Sequence, residues 1–407
     1  MSSEARRPAS VREVVEHGLC IGCGLCEALG PDRWKMTMTG EGRLRPAPLG
    51  KETPQADADI LAACPGVVTE ATADGPEYDE VWGRYAHMGE AWAGDPEIRF
   101  RAATGGVLTA LGVHLIKSGR AKFILHCTAD PAHPVRSKWV MSETPEDVAR
   151  RSGSRYGPSN TLAGLEVALD RGEPFAIIAK PCDAGAVRAR AKADPRLDAL
   201  LVAVLVMVCG GASDLGKSWM LLDELGVPEE DVTVFRYRGY GNPGRARVET
   251  RDGRAFERTY EELWGDEAGW RIQTRCKLCP DAIGEAADIA AADIWPDAQP
   301  EGEDAGFNGI ITRTDTGQHL MQSAVEAGDL ILGKDHTPRD YDHFQPHQVN
   351  KKRAMAARLR GLSRAGWPVH AHAGLRLDTL DARDEREEQG AHDRALNGRF
   401  SEKLPRP

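Results

Sequence analysis

Between residues 107 and 208 two kinds of apolar segment alternate, and this narrows the fold more than any other property of the chain. Residues 107–116, 159–169 and 184–191 carry helical spacing, whereas 122–126, 175–179 and 201–208 are short runs of strand length. Two of those runs, Phe175-Ala-Ile-Ile-Ala179 and Leu201 to Val208, contain no polar side chain, so both of their faces must be covered. Helix and strand in alternation imply parallel strands joined by crossover helices. The expected fold is therefore α/β, with a largely parallel sheet at its core. Further along, residues 232–237 and 246–250 read as a hairpin around a loop holding Gly239, Gly241, Asn242, Pro243 and Gly244. Residues 309–313 read as a strand, 317–327 as a helix, and 341–365 as a long terminal helix with a basic face.

The expected organisation is a small ferredoxin-like cluster module at 1–75, a core at 85–300, its C-terminal part with the terminal helix at 301–375, and a charged tail at 376–407. The tail has too few apolar residues to offset its ordering entropy, so it is expected to hang free or be disordered. A net charge of -10 over 407 residues, with no basic stripe, argues against nucleic acid as a partner, and Lys351-Lys352-Arg353 is too short to change that. The first twelve residues lack an apolar run of signal-peptide length, and no uncharged run approaches a membrane span. The expectation is a cytoplasmic protein, a possible homo-oligomer. In a reducing compartment its nine cysteines favour metal ligation over disulfides.

Eight of those cysteines fall into two sets. Cys20-Ile-Gly-Cys23-Gly-Leu-Cys26, completed by Cys64-Pro65, has the spacing of bacterial ferredoxins and predicts a 4Fe-4S cluster. A four-cysteine zinc site is the alternative. Cys182 and Cys209 follow two predicted parallel strands, whose carboxyl ends share one edge, and Cys276-Lys-Leu-Cys279 could close a second site there. Zinc, or unrelated core cysteines, are the alternatives for this set. Cys127 is left over as a core thiol.

Thr104-Gly105-Gly106 and Gly153-Ser154-Arg155-Tyr156 each precede a predicted helix, where free amides and a positive helix end suit a phosphate. Arg155 could pair with a pyrophosphate and Tyr156 could stack on a flavin ring, although such loops are also ordinary caps and turns. No GxGxxG follows a predicted strand, so no Rossmann-type NAD site is expected. Clusters pass single electrons and organic acceptors take two, so a flavin between them is the economical inference. His126, Lys180, Tyr156 and Asp183 lie near the inferred ligand edge, but none is assigned as catalytic.

The ordered set Gly105-Gly106-Val107, Gly153-Ser-Arg-Tyr156, Lys180-Pro-Cys-Asp183, Val208-Cys-Gly210, Cys276-Lys-Leu-Cys279, Ala287-Asp-Ile289 and Ile311-Thr-Arg-Thr-Asp315 resembles the coenzyme F420 hydrogenase/dehydrogenase β-subunit family. The resemblance covers roughly residues 85 to 370, and the first cysteine set is similar to stand-alone members that carry an added ferredoxin-like module. It implies FAD on the α/β core and a cluster on Cys182, Cys209, Cys276 and Cys279, with Lys180 and Asp293 among the cofactor contacts. The segment Ala287 to Pro296 departs from the family pattern, and Asp288 and Asp293 are read there either as facing the cofactor or as capping a turn. The resulting expectation is an FAD-containing iron-sulfur oxidoreductase. It would pass electrons from ferredoxin or a partner subunit through two 4Fe-4S clusters to a small acceptor, a deazaflavin or a tetrapyrrole. The alternatives are an F420-dependent hydrogenase or dehydrogenase β-subunit, and an electron-transfer adaptor without a substrate pocket of its own.

Overall fold

The computed structural model describes residues 5–50, 55–300, 302–381 and 384–406. Its central sheet has eight strands: β1 (His87–Ala93), β2 (Phe123–Ala129), β3 (Ser137–Ser142), β4 (Phe175–Ala179), β5 (Leu201–Met207), β6 (Ile289–Asp293), β7 (Asn308–Thr312) and β8 (Leu330–Asp335). The spatial order is β8-β1-β7-β6-β5-β4-β2-β3. Four adjacent strands, β6, β5, β4 and β2, are parallel. The flanking pairs are antiparallel, so the sheet is mixed, with a parallel centre. Connection length explains part of the difference. Only residues 130–136 separate β2 from β3, too few for a crossover, and a short link can only join antiparallel neighbours.

The apolar runs behave as their composition requires. Phe175, Ala176 and Ile177 of β4 and Val204, Leu205 and Val206 of β5 are wholly buried, because helices cover both faces. On one face the helix Val107–Lys117 packs Leu111, Val113 and Leu115 with Ile124, Leu205 and Ile289. On the other, Leu162, Leu165 and Phe175 meet Ile21, Cys23 and Leu25 of the amino-terminal segment. That segment holds three short helices and the antiparallel pair Trp34–Met38 and Leu44–Pro48. It is tied to the core where the Leu162 amide donates to the Cys23 carbonyl at 2.9 Å. The predicted hairpin forms as Val232–Arg236 with Ala246–Thr250, and gains a third strand, Ala255–Arg258.

The long terminal helix is two, Pro338–Phe344 and Pro346–Arg364, because Pro346 cannot donate a helical hydrogen bond and starts a new first turn instead. The charged tail does not hang free. Glu385–Leu396 is a helix laid on Pro346–Arg364, burying Ala391 and Ala395. The two helices approach so closely that a Cβ at Gly361 would collide with the Glu388 carbonyl oxygen. Arg358 pairs with Glu387 at 2.9 Å and Arg360 with Glu388 at 3.1 Å, so the tail's acids lie on the basic face of the helix before it. Beyond it Phe400 is buried, and Glu402 reaches Arg43 at 2.8 Å and the buried Arg45 at 2.5 Å. Charge that looks solvated in composition is matched charge in the fold. Among the described residues no helix is long and apolar enough to cross a membrane.

Asp288 joins the sheet to its helices. One carboxylate oxygen accepts from the Val204 amide at 2.7 Å and from Arg188 at 2.8 Å, and the other from the Thr314 hydroxyl at 2.7 Å. This is a structural role, so of the two readings of Asp288 the cofactor-facing one is not realised. Asp288→Ala leaves a buried amide and a half-buried guanidinium without their acceptor, and is expected to cost about 3 kcal/mol of folding stability. Urea unfolding measures it, and a loss under about 1 kcal/mol would mean that water replaces the carboxylate.

Candidate functional site

The parallel strands β4, β5 and β6 end at Ala179, Met207 and Asp293, and their carboxyl ends share one edge, where ligands of open α/β sheets bind. Arg238 lies at the centre of this edge, almost fully buried. It donates to Asp293 at 2.9 Å, to the Tyr156 hydroxyl at 3.1 Å, to the Thr104 hydroxyl at 2.7 Å and to the Pro243 carbonyl at 3.0 Å. Its guanidinium also stands 4.8 Å from the Trp295 ring and 5.2 Å from Tyr260. Burial works against its charge, but Asp293 and Tyr156 outweigh burial and raise its pKa. Thr104 in turn donates to Asp293. Tyr156 is packed 4.4 Å from Trp264 and 5.6 Å from Tyr237, centroid to centroid, and burial pushes its phenol up. Sequence reading brought Thr104, Tyr156 and Asp293 together but missed the arginine that joins them. Its only signal was a cationic residue between Tyr237 and the glycine-rich loop.

Two of the groups expected to cradle FAD, Gly105 and Arg155, have structural roles. Gly105, at φ 109°, is needed because a Cβ there would meet the Phe307 Cα at 2.7 Å. At the helix start beyond Gly106 the Val107 amide donates to the Asn308 side chain at 3.2 Å. Arg155 follows Gly153 and Ser154 in the loop, and donates to the carbonyls of Phe235 at 2.8 Å, Pro134 at 2.9 Å, Val135 at 3.0 Å and Arg136 at 2.9 Å, and to Ser137 at 3.1 Å. All three guanidinium nitrogens are engaged by the protein, so Arg155 ties β3 to the three-stranded sheet. The expected FAD site does not form from these residues.

Lys180 caps the end of β4. Its ammonium donates to the Ser159 hydroxyl at 2.7 Å and carbonyl at 3.1 Å, and pairs with Asp183 at 2.8 Å. Burial disfavours the charge, but Asp183 more than compensates and the lysine pKa is raised. His126 bonds to Ser142 at 2.7 Å, and burial, reinforced by Arg151, lowers its pKa to about 4. It is a neutral core histidine at neutral pH.

The two cysteine sets do not form metal centres. Among the described residues no group of three or more His, Cys, Asp or Glu side chains is placed to hold a metal ion, which overturns both predicted 4Fe-4S sites. Cys20, Cys23, Cys26 and Cys64 do line one cavity, walled mostly by apolar side chains. Three of the sulfurs have other partners: Cys26 contacts the Met36 sulfur at 3.8 Å, Cys279 donates to the Asp281 carbonyl at 3.1 Å, and Cys276 accepts from the Ala212 amide at 3.2 Å. Burial pushes the thiols of Cys20, Cys23, Cys26, Cys64, Cys182, Cys209 and Cys276 up. Cys127 is partly buried and its thiol is likewise raised by burial.

A mixed α/β core carrying a buried polar site at its carboxyl edge defines the class, and comparison with known proteins narrows it. Residues 88–166 match the family described as coenzyme F420 hydrogenase/dehydrogenase, beta subunit N-term, and residues 172–337 match the corresponding C terminus. The chain belongs to the coenzyme F420 hydrogenase/dehydrogenase β-subunit family. It is 26% identical over 261 residues to coenzyme F420 hydrogenase subunit beta of Methanothermobacter thermautotrophicus, covering 61% of this chain and 84% of that protein. It is 21% identical over 335 residues to an F(420)H(2) dehydrogenase subunit of Methanosarcina mazei, covering 80% and 87%. A chain of the F420-reducing [NiFe] hydrogenase complex from Methanosarcina barkeri shares the fold, with a TM-score of 0.51 at 20% identity over 68% of this chain and 95% of that one. These matches favour the F420-linked β-subunit over the FAD-containing iron-sulfur oxidoreductase expected first, whose metal centres the side-chain arrangement does not provide.

The His126 environment gives a pH signature. Its folded pKa of about 4 lies below the unfolded value near 6.5, so the unfolded chain takes up the extra proton first as pH falls through that window. The contribution is full above about pH 6.5, and its loss between pH 7 and 5 is about 2 kcal/mol. Comparing urea unfolding of the wild type with His126→Gln at both pH values isolates this slope, and identical slopes would remove His126 as its source.

Proposed function

We infer that this chain serves as the β-subunit of a coenzyme F420-linked hydrogenase or dehydrogenase complex. The observation that carries the reading is the pair of family matches, which together span residues 88–166 and 172–337 and so overlie the sheet and its carboxyl edge. The relatives carry F420 in their names, and the solved neighbour belongs to a hydrogenase complex. Coenzyme F420 is a deazaflavin, and its proposed contact region is the edge framed by Thr104, Gly105, Gly106, Gly153, Ser154, Tyr156, Lys180 and Asp293. There the chain's own contribution is orientation. Arg238 holds Thr104, Tyr156 and Asp293 in one set of hydrogen bonds, and the Lys180–Asp183 pair sets a fixed charge at the end of β4. The partner is a redox subunit that exchanges electrons with the coenzyme through the assembled complex.

The reading is tested by isolating the tagged chain with its native partners and following the coenzyme's visible absorbance. The complex is expected to reduce or reoxidise F420, and the double substitution Lys180→Met with Asp183→Asn to slow turnover at least about tenfold while the complex stays assembled. A complex that turns over its electron donor but never F420 would overturn the assignment.

A further inference from the structure

Away from the carboxyl edge, Ser323, His114 and Asp329 form a chain of hydrogen bonds between two helices. His114 lies on the buried face of Val107–Lys117, in line with Val107, Ala110 and Leu111, and is 3% exposed. Ser323 belongs to the last turns of the helix Asp315–Glu326. That helix ends in a Schellman turn: Gly328 takes φ 74°, its amide donates to the Val325 carbonyl at 3.0 Å, and the Asp329 amide returns to the Ala324 carbonyl at 2.9 Å. The turn sets Asp329 beside His114. His114 Nδ1 lies 2.8 Å from Asp329 Oδ2, and Nε2 lies 2.9 Å from the Ser323 hydroxyl.

The proton positions follow from the partners. A carboxylate only accepts, so Nδ1 donates to Asp329, and in the neutral ring Nε2 is left to accept from the Ser323 hydroxyl. Burial works against the Asp329 charge, but bonds from Lys117, at 2.9 Å, and from His114 outweigh it and hold the carboxyl below its usual range. Serine, imidazole and carboxylate thus stand in the order and at the spacing that activate a serine for acyl transfer. Ser323 is only partly buried, whereas the imidazole behind it is buried.

We propose that Ser323 is a nucleophile acylated by activated esters or thioesters, with His114 as its base and Asp329 holding the ring. Oγ attacks the acyl carbon as its proton passes to His114 Nε2. The bond to the leaving alcohol or thiol then breaks, that group departs with the proton from Nε2, and the acyl–Oγ bond remains. Nothing is oxidised or reduced. The amides of Ala327, Gly328 and Asp329 are committed to helix carbonyls, so they offer no oxyanion hole, a device worth about 10²–10³ in rate. The donor must therefore bring a good leaving group, and the product is a modified chain rather than rapid turnover. His114 lies eight residues beyond Gly106, about 12 Å along the helix, so the site is separate from the carboxyl edge and does not rest on the F420 reading.

The test is treatment of the full chain with p-nitrophenyl acetate, the acetylated positions being located by peptide mass spectrometry. Ser323 is expected to react at least about tenfold faster than the exposed Ser118, whose hydroxyl donates to the Leu115 carbonyl at 3.3 Å instead. Asp329→Asn keeps the shape but no longer fixes that tautomer, and is expected to slow Ser323 at least about tenfold while leaving Ser118 unchanged. The wild type decides first, before any variant has to fold. An unmodified Ser323, a rate no higher than that of Ser118, or an Asp329→Asn rate equal to wild type would each overturn the proposal and leave the three side chains as a tie between helices.

Discussion

Five largely buried charges hold the parts of this molecule in register. Glu285 is fully buried and pairs with Lys352 of the terminal helix and with Arg376 beyond it. Its carbonyl accepts from the amides of Thr72 and Ala73 at 3.0 and 2.9 Å, which fixes the linker leaving the amino-terminal segment. Asp281 folds the loop around it by accepting from the amides of Ile283, Gly284 and Glu285. Arg313, at the end of β7, donates to the carbonyls of Trp82, Arg84 and Ile283 and accepts from Asp74 and Gly75 through its own carbonyl. Desolvation alone would expel such charges, pushing the Asp281 carboxyl up and the Lys352 ammonium down. Glu285 is matched by two cations, and removing it strands Lys352 and Arg376. Such a network says more about specificity than about net stability, since it permits only one docking of linker, loop and terminal helix.

What the sequence disclosed follows from the range of the interaction responsible. The strands Phe175–Ala179 and Leu201–Met207 and the helix Val107–Lys117 were legible because burial on both faces, or on one stripe, is written in a few consecutive residues. Strand direction in β6, β7 and β1 was not, because it depends on where a distant segment returns to the sheet. The tail failed for a related reason. Glu387, Glu388 and Glu402 look like solvated charge until Arg358, Arg360 and Arg45 are placed opposite them, and nothing local predicts that pairing. Lys352 shows the converse: read as part of a basic face, it is a buried ion whose partner lies 67 residues away.

The site was legible in position and misjudged in chemistry. Placing it at the carboxyl edge required only the direction of β4 and β5, which the sequence supplied. Assigning its contents relied on motifs, and a motif does not reveal whether its donors are already in use. Gly105 and Arg155 satisfy a phosphate-loop pattern, yet one glycine is demanded by Phe307 and the arginine by a ring of carbonyls. The cysteine spacings suffered the same limitation. Spacing brings four sulfurs to one cavity at Cys20, Cys23, Cys26 and Cys64, but does not fix the direction in which each thiol points.

The boundaries of the family match divide the molecule in an instructive way. Residues 88–337 carry seven complete strands of the sheet and the Arg238 network, whereas β1 begins one residue earlier, at His87. The two flanks outside that span pack on each other: Val68–Glu70 pairs with Ala371–Ala373, and Leu19 and Val67 share a cluster with Met355, Leu359 and Phe400. Chain from opposite ends thus builds one body on the side of the sheet. That body is anchored to the matched core through Glu285, Arg313 and Arg275, the last donating to the Pro65 carbonyl at 2.6 Å. The flanks also touch the carboxyl edge directly. The Gln348 side chain of the terminal helix donates to the Cys209 carbonyl just past β5, and Gln345, at the break between the terminal helices, donates to the Asp293 carbonyl at the end of β6. The flanks are thus hydrogen-bonded to the carboxyl edge at two strand ends.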